Sequence, residues 1–297
     1  MKKIVVNKLP LFRRGMGGGL ICVLVLFGFI SMKQKPVKIF LVGDSTMADK
    51  EKKAFPETGW GMVLPSYFND NVVIENHARN GRSSRTFISE GRWDFLLNRV
   101  SDGDYVVIQF GHNDQSKQKV DRYTPPADYK KNLERFVTDV RAKGGIPILC
   151  TPVERRKFDK DSNFVDQHGV YPNLVRQVAK EMKVYLVDMQ HSSMDFVINA
   201  GNEGSKQYYM HVKPGESEKY PIEKYPNGNE DNTHFKPAGA MEMAREFVEG
   251  LQQLGIKPLV DNLKPASAVK LQYTIPVQGI DNLKNTIDHT LDEGKTK

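Results

Sequence analysis

Four short segments of the chain carry residue types that together suit attack on an activated carbonyl. Gly43-Asp44-Ser45-Thr46 places a serine hydroxyl after a glycine that permits a tight turn. Asp231-Asn232-Thr233-His234 sets a carboxylate three residues before an imidazole, close enough on a turn for the acid to fix the ring's tautomer and stabilise its protonated form. A serine hydroxyl is a weak nucleophile until such a base relieves it of its proton. Arg79-Asn80-Gly81-Arg82 holds an Asn-Gly turn signal, and Gly111-His112-Asn113-Asp114 sets an amide and a carboxylate after a flexible glycine. Each segment alone has a plainer meaning: Gly-Asp-Ser also makes an ordinary turn, and Asp-x-x-His also caps helices or forms half of a metal site.

What gives them joint weight is the elements that must position them. Five apolar runs, Lys38–Val42, Val72–Asn76, Tyr105–Phe110, Ile146–Thr151 and Val184–Asp188, are continuous more than alternating, the pattern of strands covered on both faces. Between and after them the spacing predicts helices over Asp128–Lys143, Tyr171–Met182 and Pro237–Gln253. Alternating strands and helices imply βαβ units and a doubly wound parallel sheet with helices on both faces. In such a sheet the C-terminal strand ends share one edge, and the Ser45, Gly81 and Asn113 turns follow the first three strands. Glu154–Gly169 and Gly201–Asn232 show no clear periodicity and read as long loops of the kind that build sites.

The ends of the chain read differently. Residues 1–35 contain seven bases and no acid, and without them the net charge of +7 vanishes, so charge gives no case for a nucleic-acid partner. The basic stretch to Arg14 leads into the uncharged, mostly apolar Gly17–Ile30, a length suited to a signal-peptide core and short of the roughly 20 residues of a membrane span. The expectation is an exported protein, periplasmic or secreted, touching a membrane only through an uncleaved N-terminus. Of two cysteines, Cys22 lies in that apolar run, and Cys150 lies in the fourth strand, where a small core residue is expected. The resulting division is 1–35 as signal peptide or anchor, 36–257 as one domain, and 258–297 as a C-terminal extension. Within the extension, Val269–Ile275 alternates like a half-buried strand, and Ile280, Leu283, Ile287 and Leu291 follow helical spacing.

In order and spacing, the four segments resemble the blocks of the SGNH (GDSL-like) hydrolase superfamily over about residues 37 to 254. Ser45, Gly81, Asn113 and His234 match the four residues after which that superfamily is named. Gly-Asp-Ser-Thr-Met, Gly59-Trp60-Gly61, Asn80–Phe87 and Asp-Asn-Thr-His-Phe look more narrowly like its rhamnogalacturonan acetylesterase branch. The resemblance implies a flavodoxin-like three-layer α/β/α sandwich with a five-stranded parallel sheet in the order 2-1-3-4-5. It further implies Ser45 as nucleophile, His234 as base and Asp231 as its orienting acid. The oxyanion hole it implies is built from the backbone N–H groups of Ser45 and Gly81 and the Asn113 amide. No cofactor or metal is called for, and the implied partner is an acetylated polysaccharide or oligosaccharide of the pectin class. Asp114 is expected to hold its loop, and His112 is given no catalytic role.

Substrate contacts rest on residue type alone. Trp60 offers a face for stacking on a sugar, and Arg82 and Arg85, just after Gly81, suit bidentate pairing with a uronate carboxylate. Tyr208, Tyr209 and His211 stand before Asp231 as further candidates for lining the cleft. The nearest alternatives keep the chemistry and change the ester, to acetylated xylan, sialic acid or a lipid. A metal-dependent hydrolase lacks a His-Glu-x-x-His or Cys-x-x-Cys spacing. A carbohydrate-binding protein on the same fold would have no use for Ser45, Asn113, Asp231 and His234 together.

Overall fold

The computed structural model describes residues 35–216, 225–274 and 277. Its elements in chain order are β1 (Val37–Gly43), α1 (Trp60–Val63), β2 (Val72–Asn76), α2 (Ser84–Ser89), α3 (Arg92–Leu97), β3 (Tyr105–Gln109), α4 (Pro126–Ala142) and β4 (Ile146–Cys150). Then follow α5 (Tyr171–Met182), β5 (Tyr185–Val187), α6 (Met189–Ser205), β6 (Tyr209–Val212), β7 (Asn229–Phe235), α7 (Pro237–Leu254) and α8 (Lys257–Val260). Strands β1 to β5 form one parallel sheet in the order β2-β1-β3-β4-β5. The five apolar runs are these five strands, and the order is the one the resemblance implies.

The layers follow from the period of two along each strand. Ile39 and Leu41 of β1 join Val107 of β3 and Ile148 of β4 in a core with Trp60 and Val63 of α1, Val197 of α6, and Met243, Phe247 and Leu251 of α7. The intervening residues, Phe40, Val42, Val106, Ile108 and Leu149, face the other way. They pack on Phe87 of α2, Trp93 of α3, Leu133, Phe136 and Val140 of α4, and Val175 and Val178 of α5. A sheet covered on both faces needs apolar residues at every position, which is why these strands read as unbroken runs. Cys150 is buried in the first of these cores as a free thiol.

Parallel register then brings the strand ends level. Gly43 pairs with Gln109, and Gln109 with Cys150, so β1, β3 and β4 end on one line. Beyond β2 the chain keeps pace with β1: the His77 N–H donates to the Leu41 carbonyl and the Arg79 N–H to the Gly43 carbonyl. This carries the Asn80-Gly81 turn alongside the turn that holds Ser45.

Two expectations are corrected. Gly201–Asn232 is not loop throughout: α6 runs to Ser205, and β6 pairs with β7 in an antiparallel ribbon. β6 is only four residues long, too short for its Tyr209, Met210 and Val212 to stand out as an apolar run, and β7 is largely polar. Val269–Thr274 forms no strand. It lies along the surface, held by a Gln272–Ser66 exchange and by the Thr274 hydroxyl on Asp49, and its alternating apolar residues Leu271 and Tyr273 stay exposed. The start of the C-terminal extension packs on the domain, with Leu259 buried and Leu263 bridged to Phe68. Residues 1–34, and Ile280, Leu283, Ile287 and Leu291 with their helical spacing, lie outside the described residues.

Candidate active site

Ser45 stands on the turn that leaves β1. Asp44, fully buried, accepts the Thr46 N–H on Oδ1 at 3.0 Å and the Thr46 hydroxyl at 2.9 Å, and its carbonyl takes the N–H groups of Met47 and Ala48. The turn is thereby wound about Asp44, and the N–H of Ser45 is left out of that set. His112 Nδ1 donates to Asp44 Oδ2 at 3.0 Å. Burial by itself raises the Asp44 carboxyl, but the His112 ring and the Thr46 bonds outweigh it and hold the pKa at about 2. His112, for which no catalytic role is expected, thus braces the serine turn through Asp44.

Asp231 and His234 lie in β7, where the pairing with β6 slips. Tyr209 faces Phe235 while its neighbour Met210 faces Asp231, so Asn232, Thr233 and His234 bulge out of the ribbon. Inside the bulge the turn expected from sequence is present, since Asp231 Oδ1 accepts the N–H groups of Thr233 and His234 at 2.6 and 3.1 Å. His234 Nδ1 donates to Asp231 Oδ2 at 2.6 Å, and His234 Nε2 accepts from the Ser45 hydroxyl at 2.8 Å. Burial pushes the His234 pKa down, yet the charge and hydrogen bond of Asp231 outweigh it, and the ring ends above its ordinary value. Asp231 is held well below the carboxylate range; burial would raise it, but the His234 charge and bond prevail.

Gly81 and Asn113 complete the edge. Gly81 adopts a φ of 72°, a left-handed conformation open to glycine at no cost. Asn113 is buried, and one N–H of its amide donates to the Arg82 carbonyl at 3.0 Å, which fixes the amide's orientation and leaves its second N–H for another acceptor. Asp114 holds the loop as expected: its Oδ1 accepts both the N–H and the hydroxyl of Ser84, at 3.0 and 2.6 Å.

Burial pushes Asp114 up to about 7, only partly offset by its bonds to Ser84 and Thr124. A carboxyl whose pKa is higher folded than unfolded adds stability below its ordinary value of 3.8 and loses it as pH rises through about 7. Burial drives Glu154 the same way, to about 8. Burial lowers the pKa values of His77, His168 and His211, which opposes this trend below about pH 6.5. The melting temperature is therefore expected to fall between about pH 6.5 and about pH 8, and Asp114→Asn to flatten part of that slope. Thermal unfolding at the two pH values checks this; an unchanged slope in the variant would remove Asp114 as its source.

The substrate contacts inferred from residue type fare differently. Trp60 is fully buried, its indole N–H donating to Gln109 Oε1 at 2.9 Å and its ring 5.2 Å from Phe247, so it offers no face to a sugar. The glycine beside it explains the motif: a Cβ on Gly59 would sit 2.1 Å from the Ala48 carbonyl oxygen, so only glycine lets α1 approach the serine turn. Arg82 is also fully buried, its Nε donating to Glu90 at 2.8 Å and Nη1 to the Asn80 carbonyl, and it has no route to a uronate. Arg85 is exposed, with Nη2 on the carbonyls of Val120 and Asp121 at 2.7 and 2.5 Å. Tyr209 is buried with its hydroxyl on the Glu154 carbonyl, Tyr208 stacks edge-on against Phe196, and His211 Nε2 donates to Asn232 Oδ1 at 2.8 Å.

Two groups of side chains have no signature in sequence. Lys50 and Glu57 form an ion pair of 2.6 Å beside Ser45, with side chains 2% and 9% exposed. Arg156 reaches the bulge, its Nη1 on Asn232 Oδ1 at 2.8 Å and its N–H on the Asn232 carbonyl. Only their burial and convergence identify them. Among the described residues no three His, Cys, Asp or Glu side chains gather as a metal site would need.

Comparison with known proteins agrees with this geometry. The model of the GDSL-like lipase/acylhydrolase family matches residues 41–240. A rhamnogalacturonan acetylesterase of Bacillus subtilis is 37% identical over 232 residues, covering 78% of this chain and 96% of that one. A probable rhamnogalacturonan acetylesterase of the same organism is 34% identical over 226 residues, covering 76% and 96%. The crystal structure of the Bacillus subtilis protein YxiM superposes with a TM-score of 0.61 at 28% identity, covering 75% of this chain and 58% of that one, so this chain spans a little over half of that solved protein. Because the matched residues include both Ser45 and His234, the family likeness and the hydrogen-bonded relay describe the same site, and the chain belongs to the GDSL-like lipase/acylhydrolase family as a serine-type carboxylic ester hydrolase.

Proposed function

We propose that the protein removes acetyl groups from a plant cell-wall polysaccharide of the pectin class, rhamnogalacturonan, by a double displacement through an acetylated Ser45. The observation that carries the chemistry is the unbroken relay from the Asp231 carboxylate through the His234 ring to the Ser45 hydroxyl, 2.6 and 2.8 Å long. Asp231 holds the proton on Nδ1, which leaves Nε2 unprotonated and facing Ser45 Oγ. Oγ attacks the ester carbonyl carbon as its proton passes to Nε2. The carbonyl oxygen becomes an oxyanion, received by the N–H groups of Ser45 and Gly81 and the second N–H of Asn113. Collapse expels the sugar oxygen, which takes the proton from His234. Water then attacks the acetyl-serine with His234 again as base, acetate departs, and the proton returns to Oγ.

The acetyl and polysaccharide parts of this reading are supported by the two relatives bearing the rhamnogalacturonan acetylesterase name at 37% and 34% identity. Export is supported by composition, with the basic and then apolar residues 1–35 forming a leader ahead of β1. An acetylated cell-wall polymer is met outside the cell, so substrate and address agree.

The deciding experiment measures acetate released from acetylated rhamnogalacturonan, acetylated xylan and a generic aryl acetate. Preference for the first is expected, and turnover of the aryl ester without either polymer would reject the substrate while keeping the chemistry. Asn113→Ala is expected to lower turnover about 10²–10³-fold, the usual cost of one oxyanion donor. Aryl acetate kinetics with an unchanged kcat would take Asn113 out of the hole.

A further inference from the structure

A lysine ammonium is costly to bury, and replacing a buried ion pair by well-packed apolar residues is often neutral or stabilising, so stability alone gives little reason for one. Lys50 is such a group, and its three N–H bonds are all directed to acceptors. Nζ lies 2.6 Å from Glu57 Oε1, 2.6 Å from the Ser45 carbonyl oxygen and 2.7 Å from Asn80 Oδ1. The second acceptor belongs to the residue read as nucleophile. The third belongs to the residue before Gly81, read as an oxyanion donor. The first leads to the third part of the site, because Thr58, next to Glu57, donates its N–H to the carbonyl of Phe235, next to His234.

We propose that Lys50 is a positioning residue: one ammonium joins the serine turn, the Asn80-Gly81 turn and, through Glu57, the strand that carries His234, and so sets the spacing of nucleophile, oxyanion donor and base. This rests on the roles given above to Ser45, Gly81 and His234. The β1–β2 ladder and its continuation set the serine and Asn80-Gly81 turns side by side, but β7, which carries His234, belongs to a separate sheet, so no ladder fixes all three in mutual register. Oxyanion donors act only within a few tenths of an ångström of their mark, and a misplacement of about 1 Å costs about a hundredfold in rate. A compact charge with three donors on a flexible stem suits a point where three turns converge.

The test pairs Lys50→Met with Glu57→Gln, so that no unpaired charge is left buried, and uses an aryl acetate as substrate. The double variant is expected to melt within a few degrees of the parent, keep KM within about twofold and lose about a hundredfold in kcat. Asn80→Ala, which removes one anchor from a half-buried side chain, is expected to cost about tenfold in kcat in the parent and nothing more in the double variant. A folded double variant with parental kcat, or an Asn80 effect that multiplies instead of saturating, overturns the proposal. Should the double variant not fold, Asn80→Ala in the parent decides, and an unchanged kcat there rejects the clamp. Labelling of the parent with a fluorophosphonate separates the two levels. A parent unlabelled at Ser45 sinks the nucleophile assignment, whereas a labelled parent beside a fully active double variant sinks only the role of Lys50.

Discussion

Ser45→Ala is expected to fold as the parent does and to lose about 10⁶ in kcat, the scale seen when a serine hydrolase loses its nucleophile. The separation of folding from activity follows from how the turn is built. Asp44, not Ser45, winds it, since Asp44 receives the N–H groups of Thr46, Met47 and Ala48 and is itself held by His112. The Ser45 side chain contributes one hydrogen bond, to His234, at the half-buried mouth of the site. Removing it should change stability by less than about 1 kcal/mol. Acetate release and thermal unfolding on the same preparation check both halves, and a folded variant that still turns over at the parental rate ends the nucleophile assignment.

Asp231→Asn should cost about 10⁴ in kcat, and the reason is the tautomer. An asparagine there keeps an oxygen for the N–H groups of Thr233 and His234 but turns an NH₂ toward His234 Nδ1. The ring must then carry its proton on Nε2, where it no longer accepts from Ser45. The pH profile tells this apart from simple damage. His234 works as the neutral ring, and its pKa lies above 6.5 because Asp231 outweighs burial. The acidic limb of kcat/KM in the parent is therefore expected above that value. With the charge gone, burial is opposed only by the smaller effect of Glu57, and the limb moves to lower pH. A limb that stays in place while the rate falls would show that Asp231 does not govern the ring.

Much of the scaffold was legible in residue order, because strands covered on both faces cannot hide: Phe40, Val42, Ile39 and Leu41 must all be apolar whichever side they face. The same rule made β6 and β7 invisible, since β6 has only four residues and β7 is mostly polar, and the bulge that presents His234 arises from a mismatch with β6. Residue type misled at Trp60 and Arg82, where an aromatic ring and a guanidinium near the site suggested sugar contacts. Both are buried, the first bonded to Gln109 and the second paired with Glu90. Neither partner is marked by a fixed offset along the chain.

Residue order was enough to specify the sheet, its edge and the three turns of Ser45, Gly81 and Asn113 that reach it, because strand periodicity and turn chemistry are local properties of the chain. The Asp231–His234 pair is local and was expected from its spacing, but only packing brings that ring to Ser45 and one ammonium to three turns. The His234–Ser45 and Lys50–Asn80 contacts, 2.8 and 2.7 Å long, join segments far apart in the chain, and such distances are set by packing of the whole domain.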